Sequence, residues 1–243
     1  GPIRHDEPIL ASKEVLFYGQ AIAAILAESH DQAKKAALLV TAEIEELESI
    51  VSIDQAMKSK SFLDDPIIVS TGNSQKAIKD AKNSLTGSLS IGGQEHYYLE
   101  GQVAMSIPTE SNEMLVHSST QNPTEVQHLV AHVLSVPQNA IEVVTRRMGG
   151  GFGGKETDSS QLACVCAIFS KKTKHPVKAR LSRRDDILLT GKRHDFVANY
   201  EVGYSDEGRI RGINIVLAAR CGYSLDLSKA IVSRALFHVD NTY

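Results

Sequence analysis

The chain has 243 residues, enough for one large domain or two small ones. Its formal net charge of −3 provides no basic surface of the kind that binds nucleic acid, and no apolar run is as long as a membrane span. Three cysteines are too few and too unevenly spaced for a zinc or iron–sulfur framework, so Cys164 and Cys166 are interpreted as small buried residues. The polar first ten residues do not resemble a cleavable signal, and we expect a cytoplasmic protein.

The first 57 residues predict a strand, a helix, a second strand and a short helix. Asp31 is expected to cap the longer helix. Residues 41–47 alternate apolar and charged side chains, which is typical of a half-exposed strand. Residues 58–83 are polar and rich in structure breakers, which indicates a connection, and within them Asn73 is expected to cap a short helix.

A strand–loop–helix unit follows. Residues 85–91, 103–107 and 114–117 predict strands, because apolar and small or polar side chains alternate there. The sequence Asn-Pro-Thr-Glu at 122–125 predicts a helix start, with a capping side chain, a proline at the first helical position and a glutamate at the third.

A second unit of the same kind has a predicted strand at 141–145 and a predicted helix at 159–171. The spacing of Asp158 and Gln161 predicts a capping box at the start of this helix. Its apolar residues at helical spacing are expected to face inward; they are Leu162, Val165, Ile168 and Phe169.

The remaining residues predict a strand at 176–181 and then a hairpin. The hairpin would join strands at 196–204 and 209–219, with Gly208 taking a positive φ in its turn. Asp226 is expected to cap a final helix.

A glycine run separates the strand and the helix of the second unit. Five of the six residues at 149–154 are glycines, and the sixth is Phe152. Glycine loses the most backbone freedom on folding and adds no core surface, so such a run is typical of backbone that approaches a ligand closely or adopts positive φ. A turn that leads into a helix N-terminus also suits an anion, because it presents backbone N–H groups and the positive end of the helix dipole.

Two nucleotide-binding patterns nearly match this run. The P-loop pattern is satisfied from Gly149 to Lys155, but Glu156 stands where a magnesium-binding hydroxyl belongs and would repel phosphates. The pattern G-x-G-x-x-G is satisfied by Gly149, Gly151 and Gly154, yet the acidic residue expected about twenty positions later is absent. A nucleotide-binding module and a ligand-free structural hinge both stay open as alternatives.

The longer string RRMGGGFGGKE at 146–156 is more specific than either pattern. It is preceded by GGQEHYYLE at 92–100 and SSTQN at 118–122, and followed by LLTGKRHDF at 188–196. In this order the motifs resemble the xanthine dehydrogenase and aldehyde oxidase family of molybdenum hydroxylases. The match is nearest to the molybdopterin-binding large subunit of bacterial xanthine dehydrogenases and extends over nearly the whole chain.

The resemblance implies an α+β fold in three parts. Residues 1–57 would be the C-terminal part of an α/β hammerhead domain, and 58–83 a connecting segment. Residues 84–243 would be the N-terminal part of a molybdopterin-binding domain with mixed sheets and helices. The family's general-base glutamate lies further toward the C-terminus, so we expect an internal fragment that is inactive alone and binds no cofactor stably.

The function implied by the resemblance is oxidation of hypoxanthine and xanthine to urate, in purine catabolism. Molybdopterin would hold the molybdenum, and 2Fe-2S clusters and FAD on partner domains or a small subunit would carry electrons away. The full enzyme is expected to be a higher oligomer without nucleic-acid or membrane partners. An aldehyde or other heterocycle oxidase of the same family is the alternative, and the electron acceptor, NAD or oxygen, stays open.

The resemblance also assigns cofactor-binding residues. Gln121 matches a glutamine beside the molybdenum ligands, where its amide would offer a donor and an acceptor to oxo or hydroxo groups. Gly150, Gly151, Phe152 and Gly153 match the loop that lies against the molybdenum centre, with backbone amides facing the cofactor. No direct protein ligand to the metal is implied.

Glu156 matches the glutamate that orients purines in xanthine dehydrogenases, where aldehyde oxidases carry an apolar residue. Its carboxylate could bond ring nitrogens and stabilise charge in the purine. The alternative is a solvated glutamate in the first turn of a helix, favoured there by the helix dipole. Arg193 and His194 belong to a family motif but are interpreted as structural. Gln94, Glu95 and His96 are interpreted in the same way, because the two potential ligands Glu95 and His96 do not make a metal site.

Overall fold

The computed structural model describes residue 1 and residues 3–239. The helices of the described chain are α1 His30–Ala37, α2 Ile53–Ser59, α3 Ser74–Asp80, α4 Pro123–Leu134, α5 Ser159–Thr173, α6 Arg183–Leu189 and α7 Ser228–His238. Its strands are β1 Asn83–Ile91, β2 Val103–Pro108, β3 Met114–Ser118, β4 Ile141–Val144, β5 Val177–Arg180, β6 Phe196–Tyr204 and β7 Ile210–Ala219. The predicted α+β class is confirmed. None of the helices in the described residues is long and apolar enough to cross a membrane.

The chain divides into two units. Unit 1 comprises residues 1–46 and 95–192, and unit 2 comprises 47–94 and the described residues from 193 on. Each unit contains one sheet. The boundaries predicted at residues 57 and 83 from the family resemblance stay predictions.

The residues that precede α2 contain helix α1 but no strand in the part that the structure describes, so both strands predicted there are wrong. Within 41–47, Ile44 and Leu47 are 62% and 64% exposed. An alternating pattern makes a strand only when a neighbouring strand takes up its backbone N–H and C=O groups, and none does so here. Helix α1 begins after Ser29, whose hydroxyl accepts from the N–H of Gln32, so the predicted cap Asp31 is also wrong.

Unit 1 is built on a four-stranded sheet of order β4-β3-β2-β5. Strands β3 and β4 are parallel, and α4 connects them; β2 is antiparallel to both of its neighbours. Helix α4 starts as predicted, with the side chain of Asn122 accepting from the N–H of Glu125 and Pro123 in the first turn. The core lies between this sheet and helices α4 and α5; its buried members are Ala104, Met114, Val116, Val126, Val130, Ala131, Leu134, Ile141, Ala163, Cys164, Cys166, Ala167 and Val177.

Helix α5 buries small residues rather than the apolar row that the sequence predicts. Its buried members include Ala163, Cys164, Cys166 and Ala167, which let the helix lie close to β2. Leu162, Ile168 and Phe169 are partly buried against the core, but Val165 is not part of it. The interpretation of both cysteines as buried is confirmed.

The predicted capping box at the start of α5 is wrong. Asp158 already has helical angles, with φ −56° and ψ −30°, whereas a capping residue is usually extended. One carboxylate oxygen of Asp158 instead accepts from the N–H of Gly191 at 3.0 Å. The side chain therefore ties α5 to the segment that follows α6.

Unit 2 contains the antiparallel sheet β1-β6-β7. The predicted hairpin of β6 and β7 is confirmed, with Gly208 at φ 77° in its turn. Helix α3 is capped by Asn73 as predicted and lies against this sheet. The helix can lie this close because Gly203 and Gly212 have no side chain. A Cβ on Gly203 would lie only 2.7 Å from the Cα of Ile78, and one on Gly212 only 2.9 Å from the Cβ of Ala77.

Helix α7 starts without the predicted cap. Leu227 holds the capping position and makes no side-chain cap hydrogen bond. Asp226 lies at φ 37°, outside the extended conformation of a capping residue.

Candidate functional site

The glycine loop, residues 149–154, joins β4 to α5 in unit 1. Strands β3 and β4 are parallel neighbours, so their carboxyl ends meet at one edge of the sheet. Gln121 follows β3 and the glycine loop follows β4, which brings these two predicted site elements together. Ligand sites of α/β units commonly lie at such an edge.

The side chain of Gln121 is hydrogen-bonded to the loop. Its Oε1 accepts from the N–H of Gly153 at 3.0 Å and from the N–H of Lys155 at 3.2 Å. The backbone N–H of Gln121 donates to the carbonyl of Lys155 at 2.8 Å. Two donors facing one oxygen fix the orientation of the amide.

The other half of that amide is its NH₂ group. Across the described residues, Nε2 of Gln121 makes no hydrogen bond. The acceptor of the predicted donor–acceptor pair is therefore already used within the protein, and the NH₂ group is what Gln121 can offer to a ligand.

The glycines are required by contacts as well as by backbone angles. A Cβ on Gly151 would overlap the Gln121 side chain, and one on Gly154 would lie 2.6 Å from Nδ1 of His96. Gly149, Gly150 and Gly153 have φ of 72°, 84° and 94°, in the region that favours glycine.

Phe152 is the exposed apex of the loop. It has φ 53°, and 76% of its surface is exposed. Both are unusual for a large aromatic residue, and a strained, solvent-facing aromatic indicates a contact surface rather than core packing. Its ring lies against the loop itself, since a Cβ on Gly150 would be 3.1 Å from Cε2 of Phe152.

The loop also presents unpaired backbone donors. In the described part of the chain, the amides of residues 149–152 form no hydrogen bond, whereas those of 153–155 do. Buried backbone N–H groups in folded proteins are almost always paired, and Gly151 in this row is buried. Together with Nε2 of Gln121 they form a set of donors suited to a ligand rich in acceptors.

Lys155 cannot play the part of a P-loop lysine. It is fully buried, with 0% of its surface exposed. Its Nζ donates to the carbonyl of Glu100 at 2.7 Å and to the carbonyl of Met148, and it lies 4.6 Å from the centroid of the Tyr98 ring. Burial lowers the pKa of Lys155, while Asp186 and Glu100 act in the opposite direction. A side chain held beneath the loop does not reach a nucleotide phosphate, so the P-loop alternative is not supported.

A buried polar network that the sequence does not reveal supports the loop. Tyr98 donates through its hydroxyl to Asp186, and the backbone N–H of Gln102 donates to the other carboxylate oxygen of Asp186 at 2.8 Å. Nε2 of Gln102 donates to the carbonyl of Gly154 at 2.9 Å and to the Tyr98 hydroxyl at 3.2 Å. Burial, with Asp186, raises the pKa of Tyr98, so this hydroxyl stays protonated and remains a donor.

Glu156 is half-buried and makes no hydrogen bond or ion pair in the described residues. Helix α5 begins only at Ser159, so Glu156 does not lie in its first turn, contrary to the alternative considered from sequence. Burial lowers the pKa of His96, and Lys192 lowers it further. The negative charges of Glu95 and Glu156 act in the opposite direction without reversing the shift. The carboxylate of Glu156 is therefore available to a ligand, next to the end of the loop that is hydrogen-bonded to Gln121.

The other motif residues have structural contacts. His96 packs on Gly154, and Glu95 pairs with Lys192 at 3.0 Å. In unit 2, Arg193 exchanges two backbone hydrogen bonds with Gln94, at 3.0 and 3.3 Å. His194 lies 2.7 Å from the hydroxyl of Ser228, and burial lowers its pKa. The described residues contain no group of three potential metal ligands.

Comparison with known proteins identifies relatives for the whole chain. The sequence model of the molybdopterin cofactor-binding domain matches residues 60–243. That of the aldehyde oxidase and xanthine dehydrogenase a/b hammerhead domain matches residues 1–48. Xanthine dehydrogenase of Dictyostelium discoideum is 43% identical over 243 residues, which is 100% of this chain and 18% of that protein.

Solved structures have the same fold. The aldehyde oxidoreductase of Desulfovibrio desulfuricans superposes with a TM-score of 0.79 and 20% identity, over 95% of this chain and 26% of that chain. Quinoline 2-oxidoreductase of Pseudomonas putida 86 gives a TM-score of 0.76 and 22% identity, over 87% and 28%. The chain thus spans only a small part of each relative.

Proposed function

We propose that this chain, which belongs to the xanthine dehydrogenase and aldehyde oxidase family of molybdenum hydroxylases, forms one wall of the catalytic site of a purine hydroxylase. The enzyme would oxidise hypoxanthine and xanthine to urate. The chain spans 18% of the length of the curated relatives it matches. The remaining walls, including the family's general-base glutamate, would come from residues outside it, and the chain alone would be inactive.

The observation that carries this proposal is the set of unpaired hydrogen-bonding groups at the glycine loop. The amides of residues 149–152 and Nε2 of Gln121 are donors without acceptors in the described chain. Such a row of donors fits a ligand with several acceptor atoms, which the oxo ligands of molybdenum and the pterin would supply. The residues present therefore fit the molybdenum cofactor.

In this proposal Gln121 and the loop hold the cofactor. Gln121 would donate through Nε2, and Gly150, Gly151, Phe152 and Gly153 would lie against the pterin and the metal centre without a protein atom ligating the metal. When bound, the cofactor supplies the redox chemistry, which is oxygen transfer to the substrate carbon and removal of two electrons. The exposed ring of Phe152 offers an apolar surface that excludes water from one side of the substrate.

Glu156 would orient the substrate. Xanthine presents ring N–H groups, and a carboxylate that makes no hydrogen bond among the described residues is an acceptor for them. As negative charge redistributes over the purine during reaction, the hydrogen bonds to Glu156 fix which carbon faces the cofactor and stabilise one tautomer. An aldehyde has no such N–H groups and gains nothing from Glu156.

The wider assignments follow from the family. The 2Fe-2S clusters and FAD would sit on partner domains or a small subunit, and the assembled enzyme would be a higher oligomer in the cytoplasm. Residues 1–57 would belong to the hammerhead domain, 58–83 to a connection and 84–243 to the molybdopterin-binding domain.

The test is Glu156→Val in the complete enzyme, with Glu156→Gln as the conservative partner. Loss of a hydrogen bond to a charged group is worth about 2 kcal/mol, or roughly thirtyfold in kcat/KM for xanthine. The kcat/KM for a simple aromatic aldehyde should stay within about threefold. Equal losses with both substrates would contradict the purine assignment and favour the alternative of an aldehyde or other heterocycle oxidase.

A further inference from the structure

Lys155 joins the two ends of the glycine loop. Its backbone lies at the end of the loop, and its side chain turns back beneath the loop to the carbonyl of Met148, the residue before the first glycine. The same Nζ donates to the carbonyl of Glu100 at 2.7 Å. One side chain thus fixes the start and the end of the loop to each other and to the segment before β2.

The backbone of Lys155 carries a second set of contacts. Its N–H donates to Oε1 of Gln121 at 3.2 Å, and its carbonyl accepts from the N–H of Gln121 at 2.8 Å. That carbonyl also accepts from the hydroxyls of Thr120 and Ser159, at 3.1 and 3.3 Å. The residue that closes the loop is therefore the one that holds Gln121, and Glu156 is its immediate neighbour in the chain.

A buried lysine needs a reason, because removing an ammonium group from water is costly unless its hydrogen bonds are satisfied. Here two carbonyls accept from Nζ and the face of Tyr98 lies 4.6 Å away, but no carboxylate forms an ion pair with it in the described residues. An ammonium has three donors and a long flexible stem, which suits it to bridge carbonyls from different segments. A residue chosen only for packing would be apolar.

We propose that Lys155 is a positioning residue, whose side chain closes the glycine loop into a ring and so sets the pose of the Gln121 amide and of Glu156. The functional role of this pose rests on the proposed function, in which Gln121 binds the cofactor and Glu156 the substrate. The ring itself is a property of the chain, and its rigidity can be measured without turnover.

The experiment uses Lys155→Met in the complete enzyme, which keeps an unbranched side chain one atom shorter and removes the donors. Lys171→Met is the matched control, because Nζ of Lys171 also donates to a backbone carbonyl, that of Leu134 at 2.7 Å, away from the loop. Hydrogen exchange is followed at the amides of Gly153 and Lys155, with the amides of helix α4 as internal reference. Steady-state kinetics with xanthine are measured on the same preparations.

In the wild type, the two loop amides should be protected, because both donate to Gln121. Lys155→Met should speed their exchange about tenfold or more relative to α4. The same variant should raise KM for xanthine and lower kcat, since a loosened loop misplaces both Gln121 and Glu156. Lys171→Met should leave the loop amides and the kinetics as they are.

Unprotected Gly153 and Lys155 amides in the wild type would overturn the proposal without any variant, which covers the case that Lys155→Met does not fold. Exchange that rises equally in the loop and in α4 would mean a general loss of stability and would also overturn it. The exchange result stands even if xanthine is not the substrate. If Lys155→Met loosens the loop but the wild-type enzyme does not oxidise xanthine, the ring is supported and the proposed function is refuted.

Discussion

Gly151→Ala isolates the contact between the glycine loop and Gln121. A Cβ at position 151 would overlap the side chain of Gln121, from Cγ to Oε1. The φ of Gly151 is not in the left-handed region, so alanine meets no backbone penalty there. The substitution therefore acts by displacing one side chain.

The magnitude follows from the hydrogen bonds that are lost. Displaced Gln121 no longer accepts from the N–H groups of Gly153 and Lys155, which are 3.0 and 3.2 Å from its oxygen. Each bond contributes about 1 kcal/mol, so the direct loss is about 2 kcal/mol. Replacing glycine by alanine returns about 0.5 kcal/mol by restricting the unfolded chain. The net decrease in the free energy of unfolding is about 1.5 kcal/mol.

Denaturant unfolding and xanthine turnover of the complete enzyme, measured on the same samples, test this. Gly92→Ala is the control, because a Cβ at Gly92 meets no atom within 4 Å and its φ is ordinary. Gly151→Ala should lose both stability and kcat, since the donor Nε2 of Gln121 moves with its oxygen. A Gly151→Ala enzyme with wild-type stability and turnover would refute the placement of Gln121 against the loop.

Two further predictions concern buried titratable groups. Burial raises the pKa of Cys164 to about 12 and that of Cys166 to about 11. Of the three cysteines of this chain, native protein at pH 8 should therefore incorporate iodoacetamide at Cys221 only, as judged by peptide mass spectrometry, whereas urea-unfolded protein should react at all three. Fast labelling of Cys166 in the native protein would contradict the packing of α5. Burial lowers the pKa of His194 below its ordinary 6.5, so its contribution to stability is present above pH 6.5 and is lost as the pH falls through the lowered value. The free energy of unfolding in urea should fall less between pH 7.5 and pH 5 in His194→Gln than in the wild type. An equal fall in both proteins would exclude His194 as a cause of the destabilisation in acid.

Much of the fold is predictable from local signals. The Asn122-Pro123 helix start, the Asn73 cap and the Gly208 hairpin turn are each fixed by residues within a few positions of one another, and all three are confirmed. The strand predicted at 41–47 depends on a neighbouring strand that the pattern itself cannot reveal. The prediction that Asp158 caps α5 is wrong because its carboxylate accepts instead from the N–H of Gly191, 33 residues away in the chain.

The candidate site shows the same division. Motif resemblance names Gln121, the glycines and Glu156, and parallel pairing of β3 with β4 explains why the first two meet. Spacing alone made Lys155 a candidate for phosphate binding, whereas the fold buries it. Its true partners are carbonyls, which every residue has, so no sequence pattern marks them.

The most direct test of the proposed function is a structure of the complete enzyme with its molybdenum cofactor bound. In that structure, Nε2 of Gln121 and at least one amide of residues 150–152 should lie within about 3.2 Å of cofactor acceptor atoms. The carboxylate of Glu156 should face the substrate pocket. A glycine loop that contacts only protein or solvent, with Gln121 turned away from the cofactor, would contradict the proposed function.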